Sequence, residues 1–323
     1  MSTKTSLLAT LAATAVLAAA CQKNAEAPQA GAPVVLKIAS QKGGTRALME
    51  ASHALDGAGY KVEWSEFPSA QTLLEALADG AVDAGAVGDA PFMFAYASGA
   101  RIKVVQAFRA SAGGASTALV VRNGSPIHRI ADLKGKRIAT GKGSIGDYLL
   151  LLVLERAGLR PDEVTTVYLA PADAKAALAA GSVDAWATWN PYVALATLHG
   201  DNRVLVDGAG LLHALGFEAA SQGAIQSKPA QLSDFLHRLA KAEQWESRRQ
   251  DDFAALLAKE TGLPVDVARV TVANQRPTAI PIDRAVVDEE RETLAHFRAA
   301  GLIETAPDVD GAFDRDFNGA VQP

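Results

Sequence analysis

Five short stretches put residues able to hold an anion at the same kind of position: Ser40–Thr45 (SQKGGT), Phe67–Gln71 (FPSAQ), Gly88–Pro91 (GDAP), Gly141–Ser144 (GKGS) and Trp189–Pro191 (WNP). Each places Gly, Ser, Asp or Asn where an expected strand gives way to an expected helix. The first N–H groups of a helix have no partner inside it, and the aligned peptide dipoles make that end positive, so such a junction suits an oxyanion. The same residue types serve more often as plain N-caps, and the weight of the observation is that all five fall at one kind of position. The implied chemistry is binding by several neutral donors, with Lys142 and Arg109 the best candidates for charged assistance. Trp189, at the end of an apolar strand, suits either a core or a wall facing a ligand.

Catalytic and cofactor signatures are missing. GKGS resembles a phosphate loop, but the interval from Gly135 to Gly141 is one residue too long for the Walker pattern. Gly143 also stands where Ser or Thr should follow Lys142. Histidines 53, 128, 199, 213, 237 and 296 show neither His-x-His nor His-Glu-x-x-His spacing, so no metal and no cofactor are expected. There is no Gly-x-Ser-x-Gly elbow. The chain holds one cysteine, Cys21, which excludes an internal disulfide and leaves no body cysteine to act as a nucleophile. The expectation is a binding protein and not an enzyme. With 31 Lys+Arg against 36 Asp+Glu and a net charge of -5, no basic face for nucleic acid is suggested.

The elements that must position these junctions follow from the spacing of apolar residues. The 323-residue chain is 49% hydrophobic and only 6% aromatic, an Ala/Leu/Val-rich composition long enough for two α/β lobes. Strands are expected at VVLKIAS, YKVEWSEF, VDAGAV, IKVVQAF and STALVVR, with helices over Gly44–Leu55, Ala70–Ala78 and Pro91–Ala97. A second set has strands KRIAT, VTTVYLA, VDAWATW and RVLVD, with helices over Ile145–Ala157, Ala172–Ala180 and Pro191–Leu198. This alternation argues for parallel sheets covered on both faces. Gly80–Pro91 (GAVDAGAVGDAP) is echoed by Gly181–Pro191 (GSVDAWATWNP), as though one corner were built once in each lobe: a glycine C-cap, a short strand, then a polar stop before a proline-led helix. From about Ser227 the apolar residues recur at helical spacing, so the tail is expected to cover a sheet.

The N-terminus has its own character. Lys4 precedes an apolar, small-residue run from Leu7 to Ala20 that ends at Cys21, the pattern of a secretory signal. Cys21 stands where a bacterial lipoprotein signal puts its lipidated residue, although Ala18 occupies the place usually held by Leu. The readings are residues 1–21 as a signal peptide with lipobox, or an ordinary signal cut near Ala20. Residues 22–33 (QKNAEAPQAGAP) read as a tether able to extend about 40 Å.

As an ordered set, QKGG, VEWSEFPSAQTLLEALADGAVDAGAVGDAP, SPIHRIADLKGKRIATGKGS, YLAPADAKAALAAGSVDAWATWNPY and NQRPTAIPI resemble the periplasmic solute-binding proteins of ABC importers for aliphatic sulfonates, taurine and nitrate, most closely the aliphatic sulfonate branch. The resemblance spans roughly residues 34–303. It implies the periplasmic-binding-protein (Venus-flytrap) fold: two α/β lobes joined by two crossovers, with a helical C-terminal region. Mapped here, lobe 1 is 34–122 and 218–323 and lobe 2 is 123–217. It implies that a small organic anion is held between the lobes by Gln41, Lys42, Gly43, Gly44, Ser69, Gln71, Gly88, Asp89, Lys142, Gly143, Ser144, Trp189 and Asn190. The implied protein is a monomer that passes its ligand to an inner-membrane ABC permease and meets the membrane only through a lipid anchor. Phe67–Gln71 is one residue shorter than the family pattern, and Phe108–Ser116 and Gly216–Ala224 also depart from it, which leaves the ligand open. The alternatives are a binder of nitrate or a pyrimidine precursor, a receptor feeding a signalling partner, or an enzyme on a related fold such as a desulfinase.

Overall fold

Short apolar runs separated by amphipathic helices fold into two sheets. The computed structural model describes residues 33–41 and 44–321. The expected signal, Cys21 and the tether up to residue 32 lie outside the described residues, as do Lys42 and Gly43. The first run is β1 (Val35–Gln41), α1 (Thr45–Ala51), β2 (Lys61–Phe67), α2 (Ala70–Ala78), β3 (Ala84–Gly88), α3 (Asp89–Ala97) and β4 (Ile102–Ala110). The second is β5 (Thr117–Arg122), β6 (Arg137–Thr140), α4 (Ile145–Arg156), β7 (Thr165–Tyr168), α5 (Pro171–Ala180), β8 (Ala185–Trp189), α6 (Tyr192–Leu198) and β9 (Asn202–Asp207). The chain closes with β10 (Leu215–Ser221), α7 (Gln222–Ser227), α8 (Pro229–Arg248), α9 (Gln250–Thr261), α10 (Val265–Gln275), β11 (Pro277–Ile280) and α11 (Arg284–Ala299).

The sheets have the orders β11-β4-β10-β3-β1-β2 and β7-β6-β8-β5-β9. Strand by strand, β2-β1-β3-β10-β4 corresponds to β7-β6-β8-β5-β9. The expectation of parallel sheets is corrected: both are mixed. β1, β2 and β3 are parallel, as are β6, β7 and β8. β10 runs antiparallel to β3 and β4, and β5 runs antiparallel to β8 and β9. The reason is that each sheet takes in one strand delivered from the other lobe, which arrives in the opposite direction. β5, grouped with the first set on sequence, accordingly pairs in the second sheet. β10 and β11 were not among the expected strands. All seven residues of β10 are buried, so it shows no alternation, and Gly216 and Glu218 interrupt its apolar run; β11 is four residues long and starts at a proline.

The chain therefore crosses between sheets at 111–116 and 208–214, and the crossings touch. Gly208 N–H donates to the Thr117 carbonyl at 2.9 Å. Gly114 has φ +91°, and a Cβ there would lie 2.5 Å from the Gly208 carbonyl oxygen, so both backbone conformation and space require glycine.

The echoed motif builds one corner twice. Asp83 N–H donates to the Lys37 carbonyl (2.7 Å) and its carboxylate accepts from Lys37 N–H (2.7 Å). Asp184 does the same with Arg137, at 2.8 Å for each bond. In each lobe this clamps the start of the central parallel strand to its neighbour, in matching registers Ile38↔Ala84 and Ile138↔Ala185. Lys37-Ile38-Ala39-Ser40 and Arg137-Ile138-Ala139-Thr140 are thus a second echo. Behind the lobes, α11 packs on α3 and α4, with Phe297 against Phe94 (ring centroids 5.6 Å) and Tyr148 (5.5 Å), so one apolar core runs through both.

Candidate ligand-binding cleft

Parallel strands gather the starts of the following helices at their carboxyl ends, and here two such sets face each other across one cleft of about 390 Å³, a size usual for small-molecule sites. All five junctions contribute to its wall. Gln41 and Gly44 come from the first and Gln71 from the second. Gly88 and Asp89 come from the third, Ser144 from the fourth, and Trp189 and Asn190 from the fifth. Among the described residues, no Lys, Arg or His lines the cleft.

The donors differ in what they are free to do. α2 begins without a side-chain cap bond from Ser69, which leaves its first N–H groups open, whereas at α3 the Ala90 N–H is taken by Asp89 Oδ1 at 2.6 Å. Ser69 is a buried N-cap just behind the wall formed by Pro68, Ala70 and Gln71. Ser144 Oγ accepts from Asp147 N–H at 3.1 Å and lies 3.3 Å from Thr140 Oγ1. Gly143 N–H is taken by the Asp147 carboxylate at 2.9 Å. Gly143 itself packs on Phe94, whose ring a Cβ would meet at 2.4 Å.

Asn190 is the clearest donor. It is only 4% exposed; its Oδ1 accepts from Ala194 N–H at 3.2 Å, which sets the amide orientation, and its Nδ2 is buried with no partner. A buried amide donor at a cleft wall needs an acceptor to offset its lost hydration. Asp89 occupies the equivalent stop in the first lobe and is 1% exposed. Its Oδ1 accepts from Ala90 N–H at 2.6 Å and its Oδ2 has no partner. Burial, with the nearby Glu289 charge, pushes the Asp89 carboxyl above its ordinary range, so its neutral form is favoured.

The two charged candidates sit off the wall. Arg109 on β4 gives its guanidinium to the His213 carbonyl at 2.7 Å and to the Glu289 carboxylate at 3.0 Å. Lys142 is exposed, and its backbone carbonyl lies 3.5 Å from Gln71 Nε2 on the opposite lobe. A second bridge runs from Tyr192 Oη to the Pro68 carbonyl at 3.3 Å. Tyr192 also meets Trp189 edge-on at 5.9 Å, and both rings line the cleft. No cluster of His, Cys, Asp or Glu able to hold a metal occurs among the described residues.

Residues 56–251 match the model of the NMT1/THI5-like family, more than half of the chain. The chain belongs to the NMT1/THI5-like family. A relative in Escherichia coli (strain K12), described as an aliphatic sulfonates-binding protein, is 37% identical over 281 residues, 86% of this chain and 88% of that one. The alkanesulfonate-binding protein SsuA from Xanthomonas axonopodis pv. citri, solved bound to MOPS, superposes with a TM-score of 0.82 at 34% identity over 88% of this chain and 100% of that one. The periplasmic aliphatic sulphonate-binding protein SsuA from Escherichia coli gives a TM-score of 0.76 at 33% identity, over 86% and 91%. Within the NMT1/THI5-like family the chain thus groups with these sulfonate-binding proteins, and its two mixed α/β lobes are the periplasmic-binding-protein fold.

Sequence reasoning missed the part of this wall that comes from outside the junctions. Ser116 and Leu212 enter from the crossings, Leu215 from the start of β10, and Glu243, Glu246 and Gln275 from α8 and α10. The signal for the acids was present: Leu236, Leu239, Glu243 and Glu246 fall at spacings of three and four on the buried stripe of α8, where an ionisable group is out of place.

Proposed function

We propose that this chain is the substrate-binding component of an ABC importer and captures an aliphatic sulfonate or related organosulfur anion in the interlobe cleft. The observation that carries this reading is the unpartnered, buried Asn190 Nδ2 in a cleft ringed by five strand-to-helix junctions, in a chain whose relatives bind sulfonates. The starts of α2, α3 and α4 add positive ends of helices of 9, 9 and 12 residues. The sulfonate oxygens accept from Asn190, Ser144 and open backbone N–H groups, with Gln41, Gly44, Gln71, Gly88 and Asp89 completing the wall. Trp189, Tyr192 and the cleft leucines cover the hydrocarbon tail, whose burial contributes about 25 cal/mol per Å².

In this reading the lobes are the two sheets with their helices, and the touching crossings at Gly114 and Gly208 are the hinge. The protein works in the periplasm as a non-enzymatic, monomeric receptor for a permease, and Cys21 is its lipid anchor. Thermal-shift screening against alkanesulfonates, taurine, sulfate esters, nitrate and pyrimidine precursors tests the ligand class, since a ligand of the native state raises Tm. Stabilisation by sulfonates is expected; a response to pyrimidine precursors alone, or to no anion, refutes the reading. Cys21→Ser is expected to release the protein from membranes, and a mature N-terminus beyond residue 21 would refute lipidation.

A further inference from the structure

The two stops of the echoed corner differ in one residue type, Asp89 against Asn190, and that difference bears on a proton. Each is the first residue after its strand, β3 or β8. Both line the cleft and both are buried, at 1% and 4% exposure. In each, one side-chain oxygen is taken by an N–H of the following helix: Asp89 Oδ1 by Ala90 at 2.6 Å, Asn190 Oδ1 by Ala194 at 3.2 Å. In each, the remaining polar atom is buried with no partner. For Asn190 that atom is the donor Nδ2; for Asp89 it is Oδ2. The two stops present the same pattern, one atom fixed and one donor free, only if Asp89 Oδ2 carries a hydrogen.

The surroundings of Asp89 favour that hydrogen. An ionised Asp89 would set a like charge against an anion in a wall whose described residues include no Lys, Arg or His. The ionisable groups whose charge reaches Asp89 are Glu289 and Glu290 on α11, Arg109 on β4 and Tyr148 on α4. Glu290 is 0% exposed and both its carboxyl oxygens lack a partner, so a charge on Asp89 would stand against a second buried carboxyl. The cation of this group, Arg109, is already held by the Glu289 carboxylate at 3.0 Å and the His213 carbonyl at 2.7 Å. Burial and the Glu289 charge together push the Asp89 carboxyl above its ordinary range. Asn at this place would supply a donor without the cost of burying an acid. What Asp adds is a donor that can be withdrawn.

We propose that Asp89 meets the anion as a neutral carboxylic acid and donates its Oδ2–H to it, as Asn190 donates Nδ2–H from the other lobe, so that capture of the anion is linked to a proton. The inference rests on the sulfonate reading and deepens it. Where Asp89 is ionised in the free protein, it takes its proton from solvent as the ligand enters. The sulfonate head itself stays ionised, so the pH dependence belongs to the protein. Affinity is full while Asp89 is protonated and falls as pH rises through its titration, by at most about tenfold per pH unit.

Calorimetric titration with alkanesulfonates from about pH 5.5 to about pH 9, in buffers that carry no sulfonate group, tests it. Kd is expected to be at least about tenfold weaker at the top of the range than at the bottom. At the top, each ligand is expected to bring in up to about one proton, read as a rise in the pH of a weakly buffered solution. Asp89→Asn keeps an oxygen for Ala90 N–H and carries the donor at every pH. Its Kd at the acid end should lie within about threefold of wild type, its fall with pH should shrink to within about threefold, and it should bind tighter than wild type at the alkaline end. Glu243→Gln/Glu246→Gln protein, which lacks the other two carboxyls of the wall, should keep a fall of about tenfold or more. A flat wild-type profile, or a loss of about tenfold or more at the acid end in folded Asp89→Asn protein, overturns the inference and leaves the sulfonate reading standing. A fall that survives in Asp89→Asn and vanishes in the double variant overturns it too, by assigning the proton to the glutamates. If no alkanesulfonate binds at any pH, both readings fall. The wild-type profile and proton uptake stand as a test even if a variant does not fold.

Discussion

Replacing Asn190 by Asp changes one atom group and tests the anion site directly. The new side chain keeps an oxygen for Ala194 N–H, at 3.2 Å in the native protein, so the start of α6 keeps its bond. It removes the Nδ2 donor, which is buried without a protein partner. A hydrogen bond to a charged acceptor is worth about 1.5–3 kcal/mol, and each 1.4 kcal/mol is about tenfold in Kd. Losing the bond should therefore weaken sulfonate binding about 10- to 150-fold, and placing an acceptor against the anion adds to that. Burial favours protonation of the new carboxyl, whose O–H would restore a donor, so the loss should be largest at about pH 8 and shrink at lower pH. Calorimetry at both pH values, with Tm of the free proteins, measures it. Asn190→Ala serves as control, because it loses the Ala194 bond as well and should lower Tm. Affinity within threefold of wild type at the higher pH, with unchanged Tm, would refute the assignment of Asn190 as the donor.

Other expectations follow from the same geometry. Gly114→Ala should destabilise the protein by about 1–2 kcal/mol for left-handed backbone and about 1–3 kcal/mol more for the contact with Gly208, read as a lower denaturant midpoint; an unchanged midpoint would show that the crossings separate freely. Arg109→Ala should cost about 1 kcal/mol or less by removing a half-exposed pair with Glu289, while sulfonate Kd stays within about threefold; a larger affinity loss would return Arg109 to the site. Stability of the free protein should fall as pH rises from about 4.5 to about 8. Glu243 and Glu246 are raised in the fold to about 8 and about 7 from 4.5, so in that window the native state holds protons that the unfolded chain releases. The slope is up to about 1.4 kcal/mol per pH unit per group. Glu243→Gln should flatten this profile and raise Tm at about pH 8; a lower Tm there would contradict the linkage.

Much of the architecture was legible in the order of residues, because its causes are local. The apolar spacing of Leu73, Leu74 and Leu77 marks α2, and Gly181, at φ +74°, ends α5 as a left-handed C-cap does. The five junctions were visible because Ser, Asn, Asp and Gly before an apolar helical run mark where helices begin. The echo of Gly80–Pro91 in Gly181–Pro191 announced two related corners, and the paired Asp83–Lys37 and Asp184–Arg137 bonds give the repeated Asp its reason.

What the tertiary structure decided depends on contacts between residues distant in the chain. No local pattern tells β5 to leave the first set and pair with β8 and β9, or tells β10, buried on both faces, to be a strand. Those choices follow from satisfying backbone hydrogen bonds in the centre of each sheet. Local chemistry made Arg109 a plausible anion ligand; only the fold brings Glu289, from 180 positions further on, to claim it. Likewise Glu243 is one acid in a helical tail until α8 turns it toward the wall that holds Asn190. Residue type determined which groups could bind an anion, and long-range packing determined which of them face the cleft with nothing else to bond.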